Sequence, residues 1–541
     1  MFDYIIVGAG AAGSVLAARL SEDPAVSVCL LEAGGEDRSN FIQCPAGYAA
    51  MVKLKMANWD FETVPQPGLD GRRGYQPRGK VLGGSGSINS MIYMRGQPAD
   101  YDHWAALGNP GWGWSDVLPW FKRVEHNERG ADAWHGSGGP LNVMDLLQPN
   151  RISRAFVQAG VQAGYPANDD FNGAQQEGIG LYQVMQRGGE RLSAAKAYLK
   201  PVRGQRANLQ VLTDAQVARV LFDGPPGAGS RASGVELRQG GSLRTLQARR
   251  EVLLCAGALQ SPQLLMLSGV GDGQALHAQG ITPRHHLAGV GLHLHDHIDV
   301  TLAYSAPQVQ DLFGLSPGGA WAVVKGLLQW QRERRGILTT NYAEAGGFIR
   351  SAPDEAAPDL QFHFAPIKVV DHARKTLFGR GYVCHVCLLR PKSRGRLSLA
   401  SSEPFATPLI DPAFLADADD LQRLVRGFKL MRRILQQPAM ASLGGRELPR
   451  SASAQTDAQI EQFVRGHADT IYHPVGSCRM GPDAAAGDVV DARLRVHGLQ
   501  GLRVIDASIM PRIVSGNTTA PTIMIAEKAA EMIRQDARAA A

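Results

Sequence analysis

Phe2-Asp-Tyr-Ile-Ile-Val7 followed by Gly8-Ala-Gly10-Ala-Ala-Gly13 decides the fold. The first six residues are apolar and aromatic, which predicts a buried strand. Ser14-Val-Leu-Ala-Ala-Arg-Leu20 is rich in small residues and good helix formers, and predicts a helix. Val26-Ser-Val-Cys-Leu-Leu31 predicts a second strand, closed by Glu32. The result is a βαβ unit with every part of the dinucleotide fingerprint. Gly8 permits the tight turn, Gly10 lets backbone approach a pyrophosphate, and Gly13 lets helix and strand pack closely. The helix N-terminus offers free N–H groups and a partial positive charge to phosphates. Glu32 stands where a carboxylate accepts hydrogen bonds from a ribose diol. Glycines also cluster in ordinary turns, so the pattern alone is weak; here strand, helix and acidic residue all fall in place. It does not separate FAD from NAD.

At 541 residues the chain is too long for one simple core, so at least two lobes are expected. Glycine, 62 residues, favours tight turns and close backbone approaches over long helical bundles. A net charge of +6 is mild over this length, and no basic cluster interleaved with aromatics indicates nucleic acid. Six cysteines make no disulfide framework and read as reduced, which goes with a cytoplasmic location. The first strand opens at residue 2, so no secretory signal is expected, and no apolar run is long enough for a transmembrane helix.

Pro77 to Arg95 is a glycine-dense loop followed by Ser85, Ser87 and Asn89, which predicts backbone wrapped around a flat polar ligand. Gly74 to Lys80 nearly spells a phosphate loop, but Val81 stands where a magnesium-binding Ser or Thr is needed, and the NTPase reading is rejected. Residues 100–150 hold Trp104, Trp112, Trp114 and Trp120 and read as a packed connection between lobes, with the aromatics in core. Leu209 to Phe222 predicts two strands with Val217 and Val220 pointing inward. After a strand at Glu251 to Ala258, Ser261-Pro262 predicts a capped helix start, and Ser268-Gly269 its end. His293, His295 and His297 would share one strand face and suggest a metal, but no second ligand cluster supports one, so none is assigned. Cys384 and Cys387 on a strand face opposite sides, which disfavours zinc or redox pairing. Ala320 to Ile337 is amphipathic with a basic edge. A core-packed helix is the preferred reading, and a peripheral membrane contact the minority one.

The chemistry concentrates near the C-terminus. In Thr470-Ile-Tyr472-His473-Pro-Val-Gly the histidine is held in a rigid turn, which suits a positioned base. Leu502 to Ile505 predicts a strand ending at Asp506, a place to meet a cofactor phosphate or a ribityl chain. In Gly516-Asn517-Thr518-Thr519-Ala-Pro521 a threonine caps a helix whose dipole suits negative charge, such as that on the N1–C2=O edge of a reduced flavin.

Four motifs in this order resemble the glucose-methanol-choline (GMC) oxidoreductases over nearly the whole chain: Gly8 to Gly13 with Glu32, Gly79 to Asn89, Gly257 to Gly271, and His473 with Asn517. Within that family, Leu360-Gln-Phe-His-Phe364, Pro391 to Arg396 and Thr470 to Gly481 are most similar to FAD-dependent alcohol dehydrogenases of alkane degraders and polyethylene glycol dehydrogenases. The resemblance implies an α/β fold. A Rossmann-type FAD-binding domain would take residues 1–155, 205–300 and 475–541. An α+β substrate-binding domain, an antiparallel sheet covered by helices, would take 156–204 and 301–474.

It implies that His473 is the base for the alcohol proton and that Asn517 holds the substrate oxygen. Val81, Asn89 and Ser90 match flavin-lining positions, Val217 an adenine contact, and Asp506 with Ala507 the pyrophosphate or ribityl region. Gly83, Tyr472 and Thr518 complete the cofactor-binding set. Some members attach FAD through a histidine just before the loop asparagine; Ile88 stands there, so FAD is expected to be noncovalent. Bacterial choline dehydrogenases tend to carry Ser-Cys-Thr-Cys after the His-Pro, whereas this chain has Val475-Gly-Ser-Cys478. Glu344 stands near a glutamate that some choline enzymes use, and does not discriminate.

The implied reaction oxidises a primary alcohol to an aldehyde. Hydride goes to flavin N5, and electrons pass to a quinone or other acceptor. The base must be neutral to accept a proton, so a mildly basic optimum is expected. An oxygen-using alcohol oxidase, a choline dehydrogenase, a flavin-scaffolded lyase and a flavin-binding protein without turnover stay open as alternatives.

Overall fold

The computed structural model describes residues 1–315, 317–370 and 374–539. Phe2–Val7 lies at the middle of a parallel sheet, between Val28–Leu31 and Ser242–Leu254. Leu209–Leu212 extends the sheet on one side and Leu502–Val504 on the other. These strands are apolar at successive positions because both faces are covered, and Ile5, Ile6, Cys29, Leu30, Val252 and Leu253 are all fully buried. Ser242–Leu254 serves two sheets. Its polar first half is mostly exposed and pairs antiparallel with Arg231–Gln239, which pairs in turn with Ala215–Asp223. Its apolar end enters the parallel sheet. Val217 and Val220 are both buried, although three apart on one strand, because the register shifts between Val217 and Arg219.

Ala11–Leu20 packs against the C-terminal helix Thr519–Ala539, and the two ends of the chain are joined there by ion pairing. The Arg19 guanidinium sits 2.8 Å from the buried Glu527 carboxylate, which also accepts from Tyr198 Oη at 2.7 Å. Trp104 and Trp112 are fully buried in this same core, and their indole N–H groups donate to the Arg512 and Ala492 carbonyls. Trp114 and Trp120 pack against it, partly buried. The tryptophans are therefore core, but core of the first lobe rather than a bridge between lobes.

The helix expected to start at Ser261-Pro262 begins a turn earlier and runs Gly257–Leu267, with Pro262 inside it. Ser261 Oγ reaches back to accept from the Ala256 N–H at 3.0 Å. Pro262 has no N–H for the carbonyl of Ala258, and Ser477 Oγ donates to that oxygen instead, at 2.5 Å. A serine from a distant loop thus repairs the ladder.

The second sheet is antiparallel, in the order Ile298–Ser305, Gly379–Leu388, Leu360–Ala365, Ala345–Ile349, Gly178–Leu181. Arg151–Gln162, Ala418–Leu435 and Asp457–His467 pack on one face. Strand alternation sends Phe362 and Phe364 into that helix-covered core and turns His363 and Ala365 to the opposite face. Cys384 and Cys387 follow the same rule and enter different clusters on the two sides.

We propose the two-domain division above with two changes. Arg151–Gln162 belongs whole to the second lobe, since Ile152 and Phe156 both sit in its core, so no boundary falls at 155. Leu192 to Leu199 packs in the first core, so that stretch belongs to the FAD-binding lobe. The helix Pro317–Glu333 also differs from expectation. Val323, Val324, Leu327 and Leu328 face solvent, while Trp330 is fully buried.

Candidate active site

The glycine turn builds the first chamber. Gly8 takes φ +100°, and a Cβ there would lie 2.5 Å from the Cys255 carbonyl oxygen. Gly13 is not on the chamber wall; it lets the helix meet the strand, and a Cβ on it would fall onto the Gly8 carbonyl oxygen. Gly8, Gly10, Glu32, Val217, Asp506, Ala507 and Thr518 line the chamber. The Glu32 carboxylate accepts from the N–H groups of Ala9 at 3.0 Å and Gly34 at 2.9 Å. Burial pushes its pKa up to about 7, against those two hydrogen bonds. Asp506 lies on the wall, but its carboxylate is already engaged by the N–H groups of Gly257 and Ser508 and by Ser261 Oγ. It shapes the turn at Gly257 rather than offering a free carboxylate to a ribityl chain.

Arg78, Ser85, Thr518 and Thr519 line both this chamber and a second one beside it. Asn89, Ser90, Tyr472, His473 and Asn517 line the second. Val81 and Gly83 stand behind the walls. Val81 packs with Ile42 and Met51, and Gly83 N–H donates to the Ala9 carbonyl at 2.8 Å, tying the loop to the glycine turn. The shape fits FAD. A carboxylate ends one chamber, the glycine turn and the start of Ala11–Leu20 lie between, and at Gly257 (φ +84°) the side a Cβ would occupy is open. Ile88 on the second wall offers no nucleophile for covalent attachment. Thr519–Ala539 starts at the junction, with Thr518 in the cap position and Pro521 in the first turn.

His473 is held by a strained turn. Tyr472 takes φ +76°, a conformation that costs a non-glycine residue about 1–3 kcal/mol. Three groups impose it. Arg78 donates to the Tyr472 carbonyl at 2.6 Å, Thr470 Oγ1 accepts from the Tyr472 N–H at 2.7 Å, and Asp296 accepts from the His473 N–H at 2.8 Å. The other Asp296 oxygen accepts from Thr470 Oγ1 and Gln76 Nε2. Burial pushes Asp296 up to about 6. Beyond the turn, His473 Nε2 lies 3.2 Å from Asn517 Nδ2, and Asn517 Oδ1 accepts from Gln361 Nε2 at 3.2 Å. His473 Nδ1 lies 3.0 Å from His297 Nδ1. Burial first, then His297, His363 and Arg78, hold the His473 pKa well below the ordinary histidine value.

His293, His295 and His297 go separate ways. His293 takes φ +61°, which breaks the alternation. His295 donates to the His293 carbonyl and accepts from the Ile513 N–H. Among the described residues no group of three or more His, Cys, Asp or Glu is placed to hold a metal. The functional surroundings missed in the sequence are Arg78, Asp296, His297, Gln361, His363 and Arg191. His363 is buried on the chamber wall, and neither ring nitrogen has a hydrogen-bond partner among the described residues. Arg191, also buried, grips the loop Gly79 to Asn89 from behind through the Gly86 and Asn89 carbonyls and Asn89 Oδ1. Strand alternation alone places His363 opposite the phenylalanines; the others depend on contacts between distant segments.

A glycine turn at a helix N-terminus, a buried carboxylate beside it and a buried His–Asn pair in the adjoining cavity fit a flavin-dependent oxidoreductase. GMC oxidoreductase profiles match residues 2–299 and 391–526. The chain belongs to the GMC oxidoreductase family, and its cofactor is FAD. It is 47% identical over 537 residues to an "Alcohol dehydrogenase [acceptor]" of Pseudomonas putida, covering 98% of this chain and 96% of that one. It is 44% identical over 539 residues to "Oxygen-dependent choline dehydrogenase 1" of Chromohalobacter salexigens, covering 98% and 95%. Among solved structures, pyridoxine 4-oxidase from Mesorbium loti superposes with a TM-score of 0.87 at 33% identity, covering 99% of each chain.

Proposed function

We propose that this protein oxidises primary alcohols with an uncharged, apolar body to aldehydes. FAD, when bound, supplies the two-electron acceptor for the hydride that leaves the alcohol carbon. A hydroxyl docked on the chamber side of the His473–Asn517 pair donates its hydrogen bond to His473 Nε2 and accepts one from Asn517 Nδ2. His473 takes the proton as the carbon–hydrogen bond breaks. Asn517 steadies the oxygen, and Gln361 steadies Asn517.

The character of the chamber wall carries the substrate assignment. Met51, Ile88, Ile92, Ile367, Val383 and Ile471 line it, and among the described residues no aspartate or glutamate does. Glu344 is turned away. Its carboxylate accepts from Thr340 Oγ1, Ser153 Oγ and the Asn150 N–H and is buried with them. Among the described residues the wall carries one arginine and no lysine, and that Arg78 repels a quaternary ammonium. Leaving a cation without a carboxylate partner in such a site costs a few kcal/mol, or about 10²-fold in rate. Anaerobic mixing with 1-hexanol or benzyl alcohol is therefore expected to bleach the flavin about 10²-fold faster than choline at equal concentration. Faster bleaching by choline refutes the assignment. Release of aldehyde from a cyanohydrin without bleaching supports the lyase instead.

The electron acceptor we propose is a quinone, reached at a membrane surface. Among the described residues no helix is long and apolar enough to cross a membrane. The exposed aliphatics Val323, Val324, Leu327 and Leu328 share their helix with Lys325 and Arg332, and its inner Trp330 packs near Tyr342 of the chamber wall. Apolar side chains flanked by cations match an anionic lipid interface. Co-sedimentation with phosphatidylglycerol vesicles is expected, weakened by salt and lost in Leu327→Glu/Leu328→Glu. Equal sedimentation of that variant removes the surface from the proposal.

A further inference from the structure

His297 is the last member of the alternating run His293, His295, His297. In the structure it is fully buried and touches no cavity; neither of the two chambers counts it among its lining residues. It meets His473 edge to face, with ring planes at 90° and centroids 5.2 Å apart. Its Nε2 lies 3.1 Å from the Leu389 carbonyl oxygen and its Nδ1 lies 3.0 Å from His473 Nδ1. We propose that His297 is a positioning residue that fixes the tautomer of His473, leaving the lone pair on the nitrogen that faces the chamber.

A carbonyl oxygen only accepts, so the hydrogen between Leu389 and His297 sits on Nε2. A neutral imidazole carries one N–H, so His297 Nδ1 presents a lone pair. The hydrogen in the His297–His473 contact therefore belongs to His473 Nδ1, and His473 Nε2 is left with its lone pair. The far side of the ring agrees independently. Gln361 Nε2 donates to Asn517 Oδ1, which turns Asn517 Nδ2, a donor, toward His473 Nε2. The opposite tautomer needs both amides reversed and a hydrogen removed from a carbonyl contact. Two ends of one chain of hydrogen bonds, Leu389 and Gln361, thus specify the same proton arrangement.

His297 is neutral in this role. Burial pushes its pKa down to about 3, opposed by the Leu389 and Val514 carbonyls, while Arg390 adds to the depression. A carboxylate in the same place would orient the ring and also raise its basicity. An imidazole orients it and adds no negative charge. Once His473 has taken a proton on Nε2, its Nδ1–H still points at the His297 lone pair, so the imidazolium keeps a partner without reorganisation.

This inference rests on the reading of His473 as base, and its test separates the two. The holoenzyme labelled with ¹⁵N-histidine is compared with His297→Asn and His297→Leu. Asn keeps an acceptor near the Nδ1 position; Leu removes it. In the native protein the His473 ring is expected as the Nδ1–H tautomer, an assignment that needs no turnover. His297→Leu is expected to show mixed tautomers and a flavin reduction rate lowered about 10²-fold, with substrate Kd changed less than threefold, while His297→Asn recovers most of the rate. An Nε2–H tautomer in the native protein overturns the proposal. So does a native reduction rate in His297→Leu. If His297→Leu does not fold, the native spectrum and His297→Asn still decide. If His473→Ala reduces at the native rate the base assignment fails, whereas a slow His473→Ala with a fast His297→Leu sinks this inference alone.

Discussion

His473→Ala is expected to purify yellow, with FAD bound in full, and to be reduced by alcohol about 10²–10⁴-fold more slowly than the native protein. The proposed cofactor grip lies elsewhere, on the glycine turn, Glu32 and the loop held by Arg191, so removing one imidazole from the second chamber is expected to leave it in place. What is lost is the proposed proton acceptor. Asn517 remains and its Nδ2 still donates to the substrate oxygen, which weakens rather than replaces the effect. Anaerobic stopped-flow absorbance checks both parts, since the spectrum counts FAD and the trace gives the rate. Unchanged bleaching would falsify the role. The native protein carries a second expectation. Protonation of His473 is disfavoured by its burial and by His297, His363 and Arg78, so it stays neutral as pH falls through the ordinary histidine range. The reduction rate is therefore expected to be flat between about pH 6 and pH 8, with the acid limb displaced below the usual value of about 6.5. The sequence alone suggests a mildly basic optimum, because an imidazole without known surroundings carries its solution pKa. The structure supplies the surroundings.

What was legible in the sequence was local, or carried by motif. Phe2 to Glu32 specifies its own strand, turn and helix, because the chemistry of each position depends on neighbours a few residues away. The alternation in Leu360 to Ala365 likewise predicts which residues share a face. The site itself is assembled from segments hundreds of residues apart. Nothing near His473 in the chain announces that Asp296 will hold its N–H, or that Leu389 will set the hydrogen on His297. The same limit explains the misplaced helix start. Ser261-Pro262 has the composition of a helix start, but Ser477 from the far end of the chain satisfies the carbonyl that Pro262 leaves open, so the helix runs through. Glu344 is likewise placed by distant partners. Its neighbours in the chain leave open which way it points, and its three hydrogen bonds to Thr340, Ser153 and Asn150 turn it away from the chamber.

Gly13→Ala is expected to abolish the soluble, FAD-loaded protein, while Gly10→Ala keeps the fold and loses the cofactor. The two glycines belong to one fingerprint but face different obstacles. A Cβ on Gly13 meets backbone, the Gly8 carbonyl, and Gly8 cannot retreat. It already sits at φ +100° against the Cys255 carbonyl oxygen, and it is tied to the Leu31 carbonyl through its N–H at 2.8 Å. Relief requires the strand Phe2–Val7 and the helix Ala11–Leu20 to part at the centre of the largest core, which costs more than about 3 kcal/mol of a total stability of about 5–15 kcal/mol. Gly10 has extended backbone at φ −74°, and its nearest obstacle is the Gly84 Cα at 3.9 Å, an ordinary contact. The new methyl therefore stands on the chamber wall where the pyrophosphate has to approach. Apo Gly10→Ala should melt within a few degrees of the native apoprotein yet bind FAD at least about tenfold more weakly, since every 1.4 kcal/mol of lost contact is one decade. Expression yield, melting of the apoprotein and FAD titration distinguish the two. A soluble Gly13→Ala with native FAD content contradicts the close strand–helix approach, and native FAD affinity in Gly10→Ala contradicts placing the pyrophosphate at this turn.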